Sequence, residues 1–343
     1  MKRNALLLGV IVLFMFFLGC SDKSNPTESE NSPPIASLSV TPDTGSTATT
    51  FNFDASGCSD KEDPNSALQV HWDWENDGVW DTVYSTTKTA THHYSTQGTK
   101  TISLEVKDSG GLTNSTTIQV SVGPETGTVT DIDGNVYKTI RIGNQWWMAE
   151  NLRVTHYSNG DSIPLVTYSG AWERLETGAY CYYDNDVSNI ATYGMLYNSF
   201  AATDKRNIAP AGWHVPKDAE WKQLEMFLGM SQTTADSTAW RGTDEGGKMK
   251  VTGTVEEGDG LWHGPNSGAT NASGFSGLPG GRRFSRKYDS IGYVASFWSS
   301  SKWSYPLSDY EIVWSRSLGH GLSKVSRDIS SLKWGLSVRC VKD

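Results

Sequence analysis

The chain has 343 residues, which is room for two domains at roughly 100–200 residues each. A mean hydropathy of −0.45 and a hydrophobic content of 37% argue against a multi-span membrane protein. A formal net charge of −9 argues against nucleic acid as a partner, because phosphate contacts need clustered Lys and Arg.

The chain opens with Lys2 and Arg3 followed by an almost wholly apolar run, Ala5–Leu18, the plan of a signal peptide. As a helix this run would be about 21 Å long, short of a hydrocarbon core of about 30 Å. It ends Phe17-Leu18-Gly19-Cys20 and turns abruptly polar at Ser21-Asp22-Lys23-Ser24. These residues resemble a bacterial lipobox, with Phe17 standing where Leu is usual. The resemblance implies that residues 1–19 are a lipoprotein signal peptide and that Cys20 is acylated. The protein would then be lipid-anchored and extracytoplasmic, at the outer membrane or cell surface. Ordinary cleavage near Gly19, leaving Cys20 free, is the alternative. Residues 20–33 are rich in Ser, Asn, Pro and Glu and read as a flexible tether.

From 34 to 123, short runs of β-branched and apolar residues alternate with turn chemistry. Ile35–Val40, Thr50–Phe53, Val70–Trp74, Lys100–Val106 and Thr116–Val122 read as strands of an all-β sandwich. Only one of Trp72 and Trp74 is expected to face the core. Four stretches in order resemble the PKD domain, an immunoglobulin-like module: Phe53–Asp60, His71-Trp72-Asp73-Trp74, His93–Gly98 and Leu104–Gly111. The resemblance implies a spacer or contact module.

Between these stretches, Asp73, Glu75, Asp77 and Asp81 surround the turn at Gly78. Hard oxygen ligands around a Gly-enabled turn make the front half of a calcium loop, so calcium is the one cofactor to consider. Tyr84 stands where a closing acid would be needed, and Asp54 and Asp60 are further candidate ligands. The alternative is a hairpin at Asn76-Asp77-Gly78 with solvated acids.

The second domain spans 128–343. Thr128–Ile132 and Val136–Ile142 flank Asp133-Gly134 as a hairpin. Asp218–Leu228 is the clearest helix. Pro216 lies near its start, Trp221, Leu224 and Leu228 share one face, and Gly229 follows. Short strands are expected at Ser296–Ser299, Glu311–Ser315 and Leu336–Val341, giving an α+β, loop-rich domain. Gly212–Pro216, Asp218–Trp221, Gly274–Arg283, Phe297–Ser301 and Ser337–Asp343 resemble the Fibrobacter succinogenes major paralogous domain, a family of surface and secreted proteins. More distantly, Pro216–Trp221 and Ser337–Val341 look like the formylglycine-generating-enzyme branch of the C-type lectin-like fold.

That branch's oxidases use neighbouring reactive cysteines, whereas Cys181 and Cys340 are far apart here. In an oxidising compartment a structural disulfide between them is expected, which leaves Cys58 unpaired. His156, His214, His263 and His320 lack metal-ligand spacing, and His214, just before the helix, should make a local hydrogen bond. No nucleophile elbow, phosphate loop or zinc pattern occurs, so no catalytic residue is assigned. Trp298, Trp303 and Trp314, with Tyr305 and Tyr310, lie in a Ser-rich region and are candidate ring platforms for sugar, with burial in the core as the alternative. The sequence therefore points to a non-catalytic binding or adhesion lipoprotein. Its partner would be a polysaccharide or a surface protein. A structural envelope role and an enzyme with an unrecognised site remain as alternatives.

Overall fold

A computed structural model describes residues 30–284, 286–304 and 311–343. The expected signal segment, Cys20, Tyr305 and Tyr310 lie outside the described residues. The chain forms two compact units. One holds residues 30–40 with Phe53–Ala90 and Thr101–Ile118. The other holds Thr41–Asn52, Thr91–Lys100 and Gln119–Asp343.

Seven strands come first: β1 (Ser39–Thr41), β2 (Thr44–Ser46), β3 (Thr50–Asp54), β4 (Gln69–Asp73), β5 (Thr89–His93), β6 (Gly98–Lys107) and β7 (Thr113–Gly123). They make a three-stranded sheet, β1-β3-β5, and a four-stranded sheet, β2-β7-β6-β4. Alternation sets the inward face of β3, where Phe51 and Phe53 are buried while Thr50, Asn52 and Asp54 are exposed. Phe53 packs against both Trp72 and Trp74, at ring distances of 6.0 and 5.2 Å.

Both tryptophans are therefore buried, contrary to the expectation that only one would be. Residues two apart in extended chain lie on the same face, so Trp74 follows Trp72 inward and stacks on it at 5.3 Å and 6°. β2 and β5 were not expected from the sequence. β5 (TATHH) has no large aliphatic residue, and β2 is three residues long.

The second unit continues with β8 (Thr126–Thr130), β9 (Val136–Ile142), β10 (Gln145–Met148), β11 (Tyr180–Cys181), β12 (Leu196–Tyr197), β13 (Trp213–His214), β14 (Ala239–Arg241), β15 (Gly280–Phe284), β16 (Lys287–Ile291), β17 (Val294–Ser304), β18 (Glu311–Gly319), β19 (Val325–Ser330) and β20 (Val341–Lys342). β8 and β9 form the expected hairpin. The largest sheet has the order β14-β19-β18-β17-β15-β16, a second the order β13-β20-β10-β9-β8, and β11 pairs with β12.

Helices are short. They are α1 (Ser169–Trp172), α2 (Ser188–Tyr193), α3 (Ser199–Ala202), α4 (Asp218–Phe227), α5 (Gln232–Asp236) and α6 (Glu245–Met249). α4 is the helix the sequence announced. Glu220 accepts the backbone N–H of Lys217 at 2.7 Å, and Gly229 ends the helix with φ +120°. Its apolar face puts Trp221 among Trp147, Phe275 and Phe297, at ring distances of 4.9, 5.7 and 5.8 Å. These rings anchor one core cluster; a second gathers around Tyr137, Tyr197 and Trp298.

Leu336–Val341 is not one strand. Leu336 and Ser337 make single bridges to Tyr197 and Phe297, and only Val341–Lys342 joins a sheet. Arg339 interrupts the run. It is fully buried and donates to Asn151 Oδ1 (2.6 Å), Met148 O (3.2 Å), Phe275 O and Ser276 O (2.8 Å).

Candidate functional site

The acidic loop following β4 is partly convergent. Asp73, Glu75 and Asp81 each bring a carboxylate oxygen within 4.8 Å of the others. Asp77 instead caps its own turn, accepting Val79 N at 2.8 Å. Asp73 accepts Asp77 N (3.2 Å) and Gly78 N (2.9 Å), and Asp81 accepts Trp74 N (2.7 Å). The acids thus fold the turn as well as crowding one another. Burial, with the charges of Asp81, Asp77 and Asp73, raises the Glu75 carboxyl above its usual range. Asp54 and Asp60 do not join this group; Asp54 accepts Ser56 N, and Asp60 accepts the backbone of Glu62 and Asp63 through Oδ1. Beside the loop, His71 is stacked between Trp80 (3.7 Å) and Tyr84 (3.9 Å) and faces Glu105 at 2.9 Å.

The expected ring platform is dispersed. Trp298 has no exposed surface and donates its indole N–H to Tyr197 O at 2.7 Å, so it is core and cannot meet a ligand. Its strand β17 is covered on that face by the second cluster. Trp314 is half-buried beneath Arg327, whose guanidinium lies 3.7 Å from the ring centre. Trp303 is half-buried on β17 beyond the bulge between Trp298 and Lys302.

The ionisable groups of the second unit's interior satisfy one another. Glu225, with no exposed surface, accepts Arg316 Nε at 2.7 Å and pairs with Arg241. Asp218 accepts Arg316 at 2.8 Å and Arg327 at 2.9 Å through each of its oxygens. Burial opposes the charge of Asp218, but the bonds from Arg327 and Arg316 hold its carboxyl well below the usual range. Lys250 is buried without a carboxylate. Its ammonium donates to Ser267 O, Gly319 O and Leu322 O, each at 3.0 Å, and burial pushes it down to about 8.

His214 makes the expected local bond and one more. Nε2 faces Glu220 at 2.8 Å and Nδ1 faces Asp343 at 2.6 Å. It borders a shallow cavity of about 480 Å³ with Asp204, Lys217 and Ser300. Both ring nitrogens thus face carboxylates.

The expected Cys181–Cys340 disulfide is absent, and both residues are buried free thiols, as is Cys58. Each packs in a different cluster, Cys181 with Trp172 and Tyr183, and Cys340 with Tyr197 and Val338. Burial raises both thiols above their ordinary range, which disfavours the reactive thiolate.

A group of rings that sequence reasoning did not single out does lie at the surface. Trp240 on edge strand β14 is 41% exposed and Tyr293, just before β17, is 44% exposed. His263 stacks on Tyr293 at 4.3 Å and 21°, and His320 meets Tyr293 edge-on at 5.1 Å. Gly319 lies under Trp240, where a Cβ would come within 3.2 Å of the indole.

A family model described as the Fibrobacter succinogenes major domain matches residues 140–342. The chain belongs to that family. A PKD domain model matches residues 31–122 and precedes the Fibrobacter succinogenes major domain. Trp240, His263, Tyr293 and His320 all fall within the Fibrobacter succinogenes major domain match, as do both core cysteines.

Two solved structures are similar. One comes from work titled a structural basis for the promiscuous specificity of carbohydrate-binding modules from the beta-sandwich superfamily. It is 24% identical, with a TM-score of 0.25, and the match covers 35% of this chain and 55% of that one. The other is the PKD1 domain of Vibrio anguillarum Epp, 26% identical with a TM-score of 0.21, over 27% of this chain and 96% of that one. No curated protein matches the chain. Among the described residues no helix is long and apolar enough to cross a membrane.

Proposed function

We propose that this protein is a non-catalytic binding or adhesion lipoprotein acting outside the cytoplasm, anchored through Cys20, with polysaccharide as its ligand class. The observation that carries the reading is how charge and rings are distributed in the Fibrobacter succinogenes major domain. Asp218, Glu225, Arg241, Arg316 and Arg327 are locked to one another in the interior, and His214 is held between two carboxylates. The ring group left at the surface, Trp240 and Tyr293 with His263 and His320, offers apolar faces beside hydrogen-bonding groups, which suits recognition. The PKD domain would act as the spacer. The C-type lectin-like reading of the second fold belongs to this proposal, resting on Pro216–Trp221 and Ser337–Val341.

Pull-down of the full chain on a panel of insoluble and immobilised polysaccharides tests the ligand class. Retention on one or more of them, without release of reducing sugar, is the expected result. Retention on none, with cross-linking to a neighbouring envelope protein on intact cells, would replace it with a protein-binding role.

A further inference from the structure

We infer that the ring group around Trp240 and Tyr293 is the sugar-contacting face of the second domain and that it takes a neutral, equatorially substituted pyranose chain such as a β-1,4-glucan or xylan. The inference rests on the polysaccharide reading above and deepens it to a site and a ligand type.

Geometry places the rings together. β14 pairs with β19 so that Arg241 lies opposite Val325, β18 ends at Gly319, and β17 begins at Val294 opposite Gly319. Trp240, Gly319, His320 and Tyr293 therefore share one end of the six-stranded sheet. Contacts join them: Trp240 lies over Gly319, His320 is the next residue, and its ring meets Tyr293, which stacks on His263. The backbone is tied down as well. His320 N donates to Tyr293 O at 2.9 Å, and His263 N to Gly292 O at 2.7 Å. His320 Nδ1 is held by Gly264 O at 2.8 Å, and His263 Nδ1 by Glu256 at 2.7 Å. The Lys250 ammonium fastens Gly319 O and Leu322 O from beneath. Ring faces are thus set before a ligand arrives, which lowers the ordering cost of binding.

Chemistry chooses the ligand. A pyranose with equatorial substituents offers a flat face of C–H groups that lies on a ring, with hydroxyls directed outward to polar neighbours. The exposed carboxylate of Glu256 and the two imidazoles supply those neighbours. The chain's net charge of −9 opposes a polyanionic glycan, so the ligand is a neutral chain. Gly319 supports the same geometry, because a Cβ there would come within 3.2 Å of the indole and require it to shift by a few tenths of an ångström.

The test is affinity electrophoresis of the full chain in gels containing xylan, mixed-linkage β-glucan or alginate. Trp240→Ala and Tyr293→Ala are compared with Phe227→Ala, another exposed aromatic at 58%. The neutral polymers should retard the wild type and alginate should not. Each ring deletion should weaken retardation roughly tenfold, as loss of an anchor ring does, while Phe227→Ala leaves it unchanged. Circular dichroism melts of the variants check that they remain folded. Retardation by polysaccharide that survives both ring deletions would overturn this site and leave the polysaccharide reading standing. Retardation by none of the polymers would overturn that reading, and this site with it.

Discussion

Glu225→Gln should cost the second domain more than any surface change, although it alters neither shape nor volume. The glutamate has no exposed surface and neutralises parts of two buried guanidiniums, Arg316 at 2.7 Å and Arg241. Arg316 keeps Asp218 as a second partner at 2.8 Å, whereas the other bonds of Arg241 go to the carbonyls of Ala235 and Val325. Gln offers one acceptor oxygen and turns an N–H₂ group toward a cation. Leaving a buried charge without its partner costs about 3–5 kcal/mol. For a domain of this size each kcal/mol is about 2–4 °C of Tm, so the transition should fall by roughly 6–20 °C. Differential scanning calorimetry reads this directly, with Glu220→Gln, on the half-exposed His214 pair, as the comparison. Replacing the group together, Glu225→Leu with Arg241→Met and Arg316→Leu, should recover much of the loss, because a packed apolar set removes the stranded charges. A loss under about 1 kcal/mol for Glu225→Gln would refute the claim that the network is dry and mutually dependent.

Three further outcomes follow from particular residues. Glu75 has a raised carboxyl, so the folded state binds its proton more tightly than the unfolded chain, and its contribution declines as pH rises from the ordinary glutamate value of 4.5 through the raised one. Glu75→Gln should therefore raise the sandwich Tm at pH 7 in chelator and change it little in acid; an unchanged or lowered Tm at pH 7 would show that the crowding is not felt, and stabilisation by calcium of the wild type alone would assign the three carboxylates to a cation. Trp298→Ala removes a ring with no exposed surface and its bond to Tyr197 O, so urea unfolding should show a loss of about 3–5 kcal/mol; loss of polysaccharide binding without loss of stability would contradict its place in the core. Cys20→Ala should move the protein from the membrane fraction to the soluble one, since a single unacylated chain lacks stable anchorage; unchanged fractionation would end the lipoprotein reading.

Periodicity made much of the fold legible. The alternation of β3, the Asp133-Gly134 hairpin and the α4 face are local patterns, and local patterns appear in local sequence. What stayed hidden depends on neighbours distant in the chain. Trp74 is buried because Phe53, on a strand distant in sequence, packs against it at 5.2 Å. Arg339 breaks a hydrophobic run because carbonyls at Met148, Phe275 and Ser276 receive it. The cysteine pairing was inferred from compartment alone, and compartment says nothing of which core cluster a residue joins.

The tryptophans make the same point for function. A Trp is a good sugar platform only if its face is uncovered, and composition cannot report covering. Trp298 alternates inward on β17 and meets Tyr197, whereas Trp240, on edge strand β14, keeps 41% of its surface exposed. The signal for the second was present, but it was not in the tryptophan. It was a glycine 79 positions away, Gly319, flanked by His320 and placed at the end of a strand. A glycine that ends a strand beneath an exposed indole sets how close that ring lies to the sheet. Gly319→Ala should therefore tilt Trp240 and weaken polysaccharide binding while leaving the Lys250 bond to the Gly319 carbonyl intact. Tryptophan fluorescence on adding β-glucan would show the change as a lost or shifted response, and a response equal to the wild type's would mean that the indole does not need its floor.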